Sequence, residues 1–117
     1  MIGAIYSALS GLTAFSTQLD VSAHNVANVM TNEFKKSRTE FVELETGGVL
    51  PVIQKNESAG PFILNNTGYG PALLELSNVD LGEEAVNQII GQQGFEANLQ
   101  AVKTADDMLG SLLDIKK

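Results

Sequence analysis

Residues 1–30 read MIGAIYSALSGLTAFSTQLDVSAHNVANVM and hold a single charged side chain, Asp20. Nine positions in this stretch follow heptad a and d spacing, and all are apolar except Ser16. They are Ile2, Ile5, Leu9, Leu12, Ser16, Leu19, Ala23, Val26 and Met30. This spacing is typical of a helix that packs along a seam. We therefore predict an N-terminal helix over residues 1–32, with Asn32 in the left-handed conformation near its end.

The last third of the chain carries a second helical pattern, which predicts a helix over residues 79–117. Asp80 can cap its start, and Glu83 three residues later completes a capping-box-like pair. A lane of apolar and small residues recurs at steps of three and four. It comprises Val86, Ile90, Gly94, Ala97, Ala101, Ala105, Met108, Leu112 and Ile115. Because polar residues interrupt the pattern, a bundle of several helices suits it better than an isolated dimer.

The middle of the chain, residues 33–78, is rich in turn signals. Gly47-Gly48 lies between residues 41–45 and 49–54, which predicts a hairpin with a two-residue turn. Residues 61–64 and 72–76 are candidates for short strands. The fold class predicted is mainly α, with the two long terminal helices paired as a coiled-coil-like bundle and a short β-hairpin and loop middle. Residues 1–32 and 79–117 would form one discontinuous core domain, and residues 33–78 an insertion.

Composition excludes several functions. The net charge of −7 and the pI near 4.5 argue against nucleic acid and anionic membrane surfaces as partners. The chain has no cysteine, so disulfides and thiolate chemistry are excluded. Serine, threonine and glutamine interrupt the uncharged stretch before Asp20, which disfavours direct membrane insertion. No lysine or arginine precedes Lys35, so we expect export, if it occurs, without a cleavable signal peptide.

Candidate catalytic residues are few. His24 is the single histidine, and Asp20 lies four residues earlier on the same helical face. Acid–base or metal chemistry needs convergent partners in a pocket, so we interpret this pair as structural. Adjacent carboxylates such as Asp106 and Asp107 do not share a helix face. We predict no catalytic residue, no cofactor and no metal site, and hence no enzyme.

Residues 19–28, LDVSAHNVAN, leave two interpretations equally open on physical grounds. The segment is either a helix with polar decoration, or a surface whose amides form hydrogen bonds across a tightly packed interface. Alanine would permit the close approach that the second interpretation requires.

Several motifs resemble one known family. At the N-terminal end they are ALSGLTA at 8–14, LDVSAHNVAN at 19–28, and FKKSR at 34–38. At the C-terminal end they are SNVDLGEEAV at 77–86, QGFEAN at 93–98 and KTADDML at 103–109. These motifs are similar to the two terminal signatures of bacterial flagellar basal-body rod and hook proteins, and they span about two thirds of the chain.

The resemblance implies a structural subunit of the basal-body rod, which crosses the periplasm, with itself and other rod and hook subunits as partners in a homo- or hetero-oligomer. It implies helical assembly, and export by the flagellar type III apparatus. It also implies contacts within and between subunits at Asn25, Asn28, Phe34, Asn78, Asp80, Phe95 and Asn98. The apolar lanes complete the predicted assembly interface with Leu9, Leu12, Leu19, Val26, Leu99, Val102, Leu109 and Leu112.

Two departures from the family pattern matter. Glu33 stands where the family commonly has glycine before the phenylalanine. The middle segment is very short, which resembles the small rod subunits and not the long hook or distal rod subunits. The alternative function is a soluble helical homo-oligomer that acts as an adaptor or a rod-like paralogue.

Overall fold

The computed structural model describes residues 2–115. The chain forms two helices and four strands, which follow one another in the order α1 Ile2–Ala27, β1 Ser37–Glu43, β2 Val49–Lys55, β3 Phe62–Thr67, β4 Gly70–Glu75 and α2 Leu81–Asp114. Strands β1 and β2 pair antiparallel as a first hairpin, with Phe41 opposite Pro51. Strands β3 and β4 pair antiparallel as a second hairpin, with Leu64 opposite Leu73.

The mainly α fold class predicted from the sequence is wrong, because the middle is built of four antiparallel strands in two separate sheets. The predicted hairpin around Gly47-Gly48 exists. Its strands are connected by residues 44–48, however, and not by the predicted two-residue turn. Both glycines have positive φ, 86° and 95°, which a residue without a Cβ adopts freely. Residues 61–64 and 72–76, candidates for short strands, lie in or beside the strands of a complete second hairpin.

The two helices pack antiparallel. Gly11 faces Asn98, Phe15 faces Gly94, and Leu19 faces Gly91. Residue numbers thus increase along α1 while those of the facing residues decrease along α2. A Cβ added at Gly94 would lie 2.4 Å from the Phe15 ring, which leaves no room for any side chain. Close approach of the helices therefore depends on glycines.

The face of α1 that meets α2 differs from the predicted seam. Helix α1 buries Ala8, Gly11, Ala14, Ser22 and Asn25. The heptad residues Ile2 and Met30 are instead 67% and 89% exposed, and Leu9 is exposed as well. The heptad pattern counts apolar residues, whereas the tight α1–α2 contact places a larger side chain of one helix against a glycine of the other, as with Phe15 against Gly94. One apolar lane of the predicted seam is thus left uncovered within a single chain.

The helix ends also correct the sequence prediction. Helix α1 ends at Ala27, and the left-handed residue is Glu33, with φ of 60°, not Asn32. At the start of α2, the Asp80 carboxylate accepts hydrogen bonds from the backbone N–H groups of Gly82 (2.7 Å) and Glu83 (3.1 Å), which confirms the cap. The Glu83 carboxylate binds Lys36 and does not return to the cap.

Replacing Glu33 with glycine should raise the free energy of unfolding by about 1 kcal/mol. The left-handed conformation costs a residue with a Cβ roughly 1–2 kcal/mol, and glycine avoids most of that cost. Urea denaturation followed by circular dichroism measures the change. Asn32→Gly is the control, because Asn32 has no positive φ and should gain nothing. Equal gains at both positions would contradict the assignment of strain to Glu33.

Candidate assembly surface

The two ends of the chain meet in a buried polar junction at Asn25. Its Nδ2 donates to the Ser37 carbonyl (2.8 Å) and to Glu84 Oε1 (2.9 Å). Its Oδ1 accepts from the Ser37 N–H (3.0 Å). The Ser22 hydroxyl donates to the Glu84 carbonyl at 3.2 Å. Asn25 is 1% exposed and Glu84 2%, so one buried amide joins α1, β1 and α2.

A second asparagine ties the connecting segments together. Asn78 Oδ1 accepts from the Lys36 N–H at 2.7 Å. Its Nδ2 donates to the carbonyls of Asn56 (3.0 Å) and Ser58 (2.9 Å). These bonds hold the segments before β1, after β2 and before α2 against one another. Asn25 and Asn78 therefore each satisfy backbone groups that no helix or strand pairs.

The base of the second hairpin is fixed by Glu75. Its carboxylate pairs with Lys35 and accepts from the Gly60 N–H at 2.7 Å. Hydrogen bonding from Lys35, with that from Gly60, lowers the pKa of Glu75 below its ordinary value. The Glu33 N–H also donates to the Glu75 carbonyl at 3.0 Å, so the turn after α1 is joined to β4.

This lowered pKa makes stability depend on acidity. A carboxylate with a depressed folded-state pKa stabilises the fold above its unfolded pKa, about 4.3, and that contribution disappears as pH falls further. We expect Glu75→Gln to cost stability at pH 7 and much less at pH 3, measured by urea denaturation at both. Glu57→Gln, which alters the exposed Lys55–Glu57 pair, should show no such difference. An equal loss of stability from Glu75→Gln at both pH values would refute this role of the Glu75 carboxylate.

The predicted interface residues fall into two groups. Several make contacts within the chain: Asn25 and Asn78 as above, Asp80 as the cap, Asn98 and Leu19 against glycines, Asn28 with His24 and Thr31, and Phe34 with its ring edge-to-face on His24. The remaining predicted interface residues are apolar and form no hydrogen bond through their side chains. Leu12, Val26, Phe95, Val102 and Leu109 are partly buried, whereas Leu9, Leu99 and Leu112 are exposed.

Sequence reasoning missed Glu84 and Ser22 as members of the buried junction, and Gly91 as the contact of Leu19. Glycine at 91 and 94 on one helix was the signal available for close packing. The side chains of His24 and Asp20 form no hydrogen bond or ion pair with each other within residues 2–115.

The surface exposes far more large apolar side chains than the interior holds. The buried apolar residues of the described chain are three alanines, Ala8, Ala14 and Ala105. Exposed large apolar residues occur on both helices and both hairpins, including Tyr6, Leu64 and Leu112. Contiguous exposed apolar surface marks sites of interaction with other molecules.

Neither helix in the 2–115 range is sufficiently long and apolar to cross a bilayer. Within the same range, no three histidine or carboxylate side chains lie close enough together to hold a metal ion.

Comparison with known families matches both ends. Residues 5–35 match the family "Flagella basal body rod protein". Residues 72–115 match the family "Flagellar basal body rod FlgEFG protein C-terminal". The chain belongs to the flagellar rod and hook family. The first matched segment comprises most of α1 and the turn after it, and the second comprises most of β4 and α2. The two segments meet at the Asn25–Glu84 hydrogen bond.

Individual members of the rod and hook family are similar over part of their length. The flagellar hook protein FlgE of Escherichia coli (strain K12) is 36% identical over 66 residues, which cover 51% of this chain and 16% of that protein. The flagellar basal-body rod protein FlgG of Bacillus subtilis (strain 168) is 48% identical over 44 residues, or 38% of this chain and 17% of that protein. The aligned part thus spans about a sixth of these relatives.

Proposed function

We propose that this chain is a structural subunit of the flagellar basal-body rod that assembles helically with copies of itself and with other rod and hook subunits. It carries out no catalysis in this role. Residues 1–32 and 79–117 act as one core domain, and residues 33–78 as an insertion. The family match at both ends supports the flagellar part of this proposal.

The observation that carries the proposal is the imbalance between interior and surface. The chain measures 83 × 25 × 17 Å and has a radius of gyration of 21.0 Å, whereas a compact domain of this length would have about 13 Å. Within residues 2–115 its buried apolar residues are three alanines, which contribute little apolar area. Such a molecule gains most of its stability by covering its surface with partners.

The short insertion favours a rod subunit over a hook subunit. Between the matched segments, residues 36–71 contain only strands β1 to β3 and the start of β4. Export by the flagellar type III apparatus without a cleavable signal, and location in the periplasm-spanning rod, belong to the same proposal and rest on family membership.

Sedimentation velocity over a range of concentrations tests the proposal. We expect a monomer that grows into open-ended polymers, because head-to-tail contacts between unlike surfaces build an open filament when the copies are related helically, as proposed here. A discrete dimer or tetramer at all concentrations would favour the soluble homo-oligomeric adaptor instead. In flagellated cells, cysteine introduced at Leu9 or Leu109 should cross-link to basal-body components, and absence of such products in motile cells would contradict the rod assignment.

A further inference from the structure

The second hairpin projects from the molecule. Among residues 2–115 it touches neither helix nor the first hairpin, and every residue of β3 is exposed. It is held at its base only, where the Leu76 N–H donates to the Pro61 carbonyl at 2.8 Å and Glu75 binds Gly60. An isolated two-stranded hairpin is marginally stable at best in water. This hairpin therefore needs a surface to cover it.

The second hairpin offers an apolar, uncharged surface. Its large exposed side chains are Phe62, Ile63, Leu64, Tyr69 and Leu73, exposed by 45% to 104%. At about 200 Å² for a fully exposed side chain of this size, they offer about 700 Å² over both faces of the hairpin, and the register places Phe62, Leu64 and Leu73 together on one face. No charged residue occurs from 58 to 74.

A second uncharged surface lies on α1. Ile2, Tyr6 and Leu9 follow i, i+4, i+7 spacing, which places them on one face, and all three are exposed. We call these three residues the outer stripe. They lie away from the face formed by Ala8, Gly11 and Ala14 that meets α2, and no charged residue precedes Asp20.

The two surfaces lie at opposite ends of α1. The base of the second hairpin is joined to Glu33, just beyond the C-terminal end of α1, whereas the outer stripe occupies its N-terminal end. A helix of 26 residues is about 39 Å long. One chain therefore cannot bring its own hairpin onto its own stripe, and the occupant must come from another molecule.

We propose that the second hairpin of one copy docks on the outer stripe of a second copy. This inference rests on the proposed function and names one of its contacts. Copies with a net charge of −7 repel one another, and contact through carboxylates would require their desolvation. The hairpin and the outer stripe bury apolar surface without burying any charge.

The area explains why this contact supports an assembly and not a free dimer. The outer stripe offers about 400 Å² of large side chains, compared with about 800 Å² per partner in a standard stable interface. The docking is weak alone and gains strength when other contacts already hold the copies together. Because the two surfaces differ and lie at opposite ends, each docked copy leaves one hairpin and one outer stripe free at the ends of the series, so docking can repeat along a helical assembly.

Disulfide trapping between copies tests the docking, and the absence of natural cysteine makes the result unambiguous. Assembled mixtures of Leu64→Cys copies with Tyr6→Cys copies should form a mixed cross-linked dimer at least tenfold above background. The control pairs Leu64→Cys with Leu113→Cys, an equally exposed leucine at the end of α2 beside Asp114. Circular dichroism confirms that each variant folds.

A charge rescue separates docking from folding. Leu64→Lys alone and Tyr6→Glu alone should each reduce the assembled fraction about tenfold, and the combined variant should recover most of it. Three results would overturn the docking: Leu64→Cys cross-links only to Leu113→Cys, Tyr6→Cys cross-links to a cysteine at Ile90 on α2 instead of to the hairpin, or the combined variant shows no rescue. If the wild-type chain still forms polymers in these cases, the proposed function remains intact. If the wild-type chain forms no open-ended assembly at all, the proposed function itself fails and this inference with it.

Discussion

Replacing Asn25 with alanine is expected to lower the free energy of unfolding by about 3 kcal/mol. The change removes three hydrogen bonds and leaves the Ser37 N–H, the Ser37 carbonyl and a Glu84 oxygen without partners in a buried site. Each unsatisfied buried group costs about 1–3 kcal/mol. A polar cavity of about 410 Å³, lined in part by Gln18 and Thr39, adjoins the site. Because water from this cavity can reach some of the three groups, we expect the total loss of stability to lie near the lower end of the sum of their costs.

Urea denaturation, read by circular dichroism, measures this loss. Asn28→Ala is the matched control, because Asn28 lies just beyond the end of α1 and makes only local side-chain hydrogen bonds, donating to the His24 carbonyl and accepting from the Thr31 hydroxyl, and it should cost under about 1 kcal/mol. Asn25→Asp should be as harmful as alanine, because it sets a second carboxylate against Glu84. Combining it with Glu84→Gln should recover part of the loss, since the new amide can donate. Equal costs at Asn25 and Asn28 would contradict the junction.

The sequence was sufficient to predict where the helices lie but not which faces they use. Apolar spacing marks both helices because burial in any assembly requires it. The lane that includes Ile2 and Leu9 is uncovered in the single chain, where glycine and alanine bring α1 and α2 together. Periodicity alone does not distinguish contact within a chain from contact between chains.

The buried junction was harder to predict. Glu84 lies in the first turn of α2, where a carboxylate is ordinarily explained by the helix dipole. Only the fold brings it to Asn25, 59 residues away along the chain. The first hairpin was predictable from its glycines, whereas the second was underestimated because residues 61–76 show little alternation of polar and apolar residues. Strands β3 and β4 form because they pair with each other, and this pairing leaves no clear local pattern in the sequence.

Gly60→Ala is expected to have an effect of similar size, about 3 kcal/mol, at the base of the second hairpin. An added Cβ would lie 2.1 Å from the Leu76 carbonyl oxygen and 3.0 Å from the Ser77 carbonyl carbon. Both are backbone atoms, so the strand end must move and cannot simply change rotamer. Overpacking of this kind costs about 1–3 kcal/mol, and here the displacement also strains the bond from the Gly60 N–H to Glu75.

Urea denaturation measures the loss of stability, and hydrogen exchange locates it, because the Leu76 amide should lose protection as its bond to Pro61 breaks. Gly68→Ala is the control, since nothing lies within 4 Å of its added Cβ and the hairpin tip should tolerate it. Unchanged protection at Leu76 in Gly60→Ala would show that the close contact is relieved elsewhere. If the second hairpin docks on another copy, Gly60→Ala should also reduce assembly while Gly68→Ala does not, because only the first change disturbs the base that orients the hairpin.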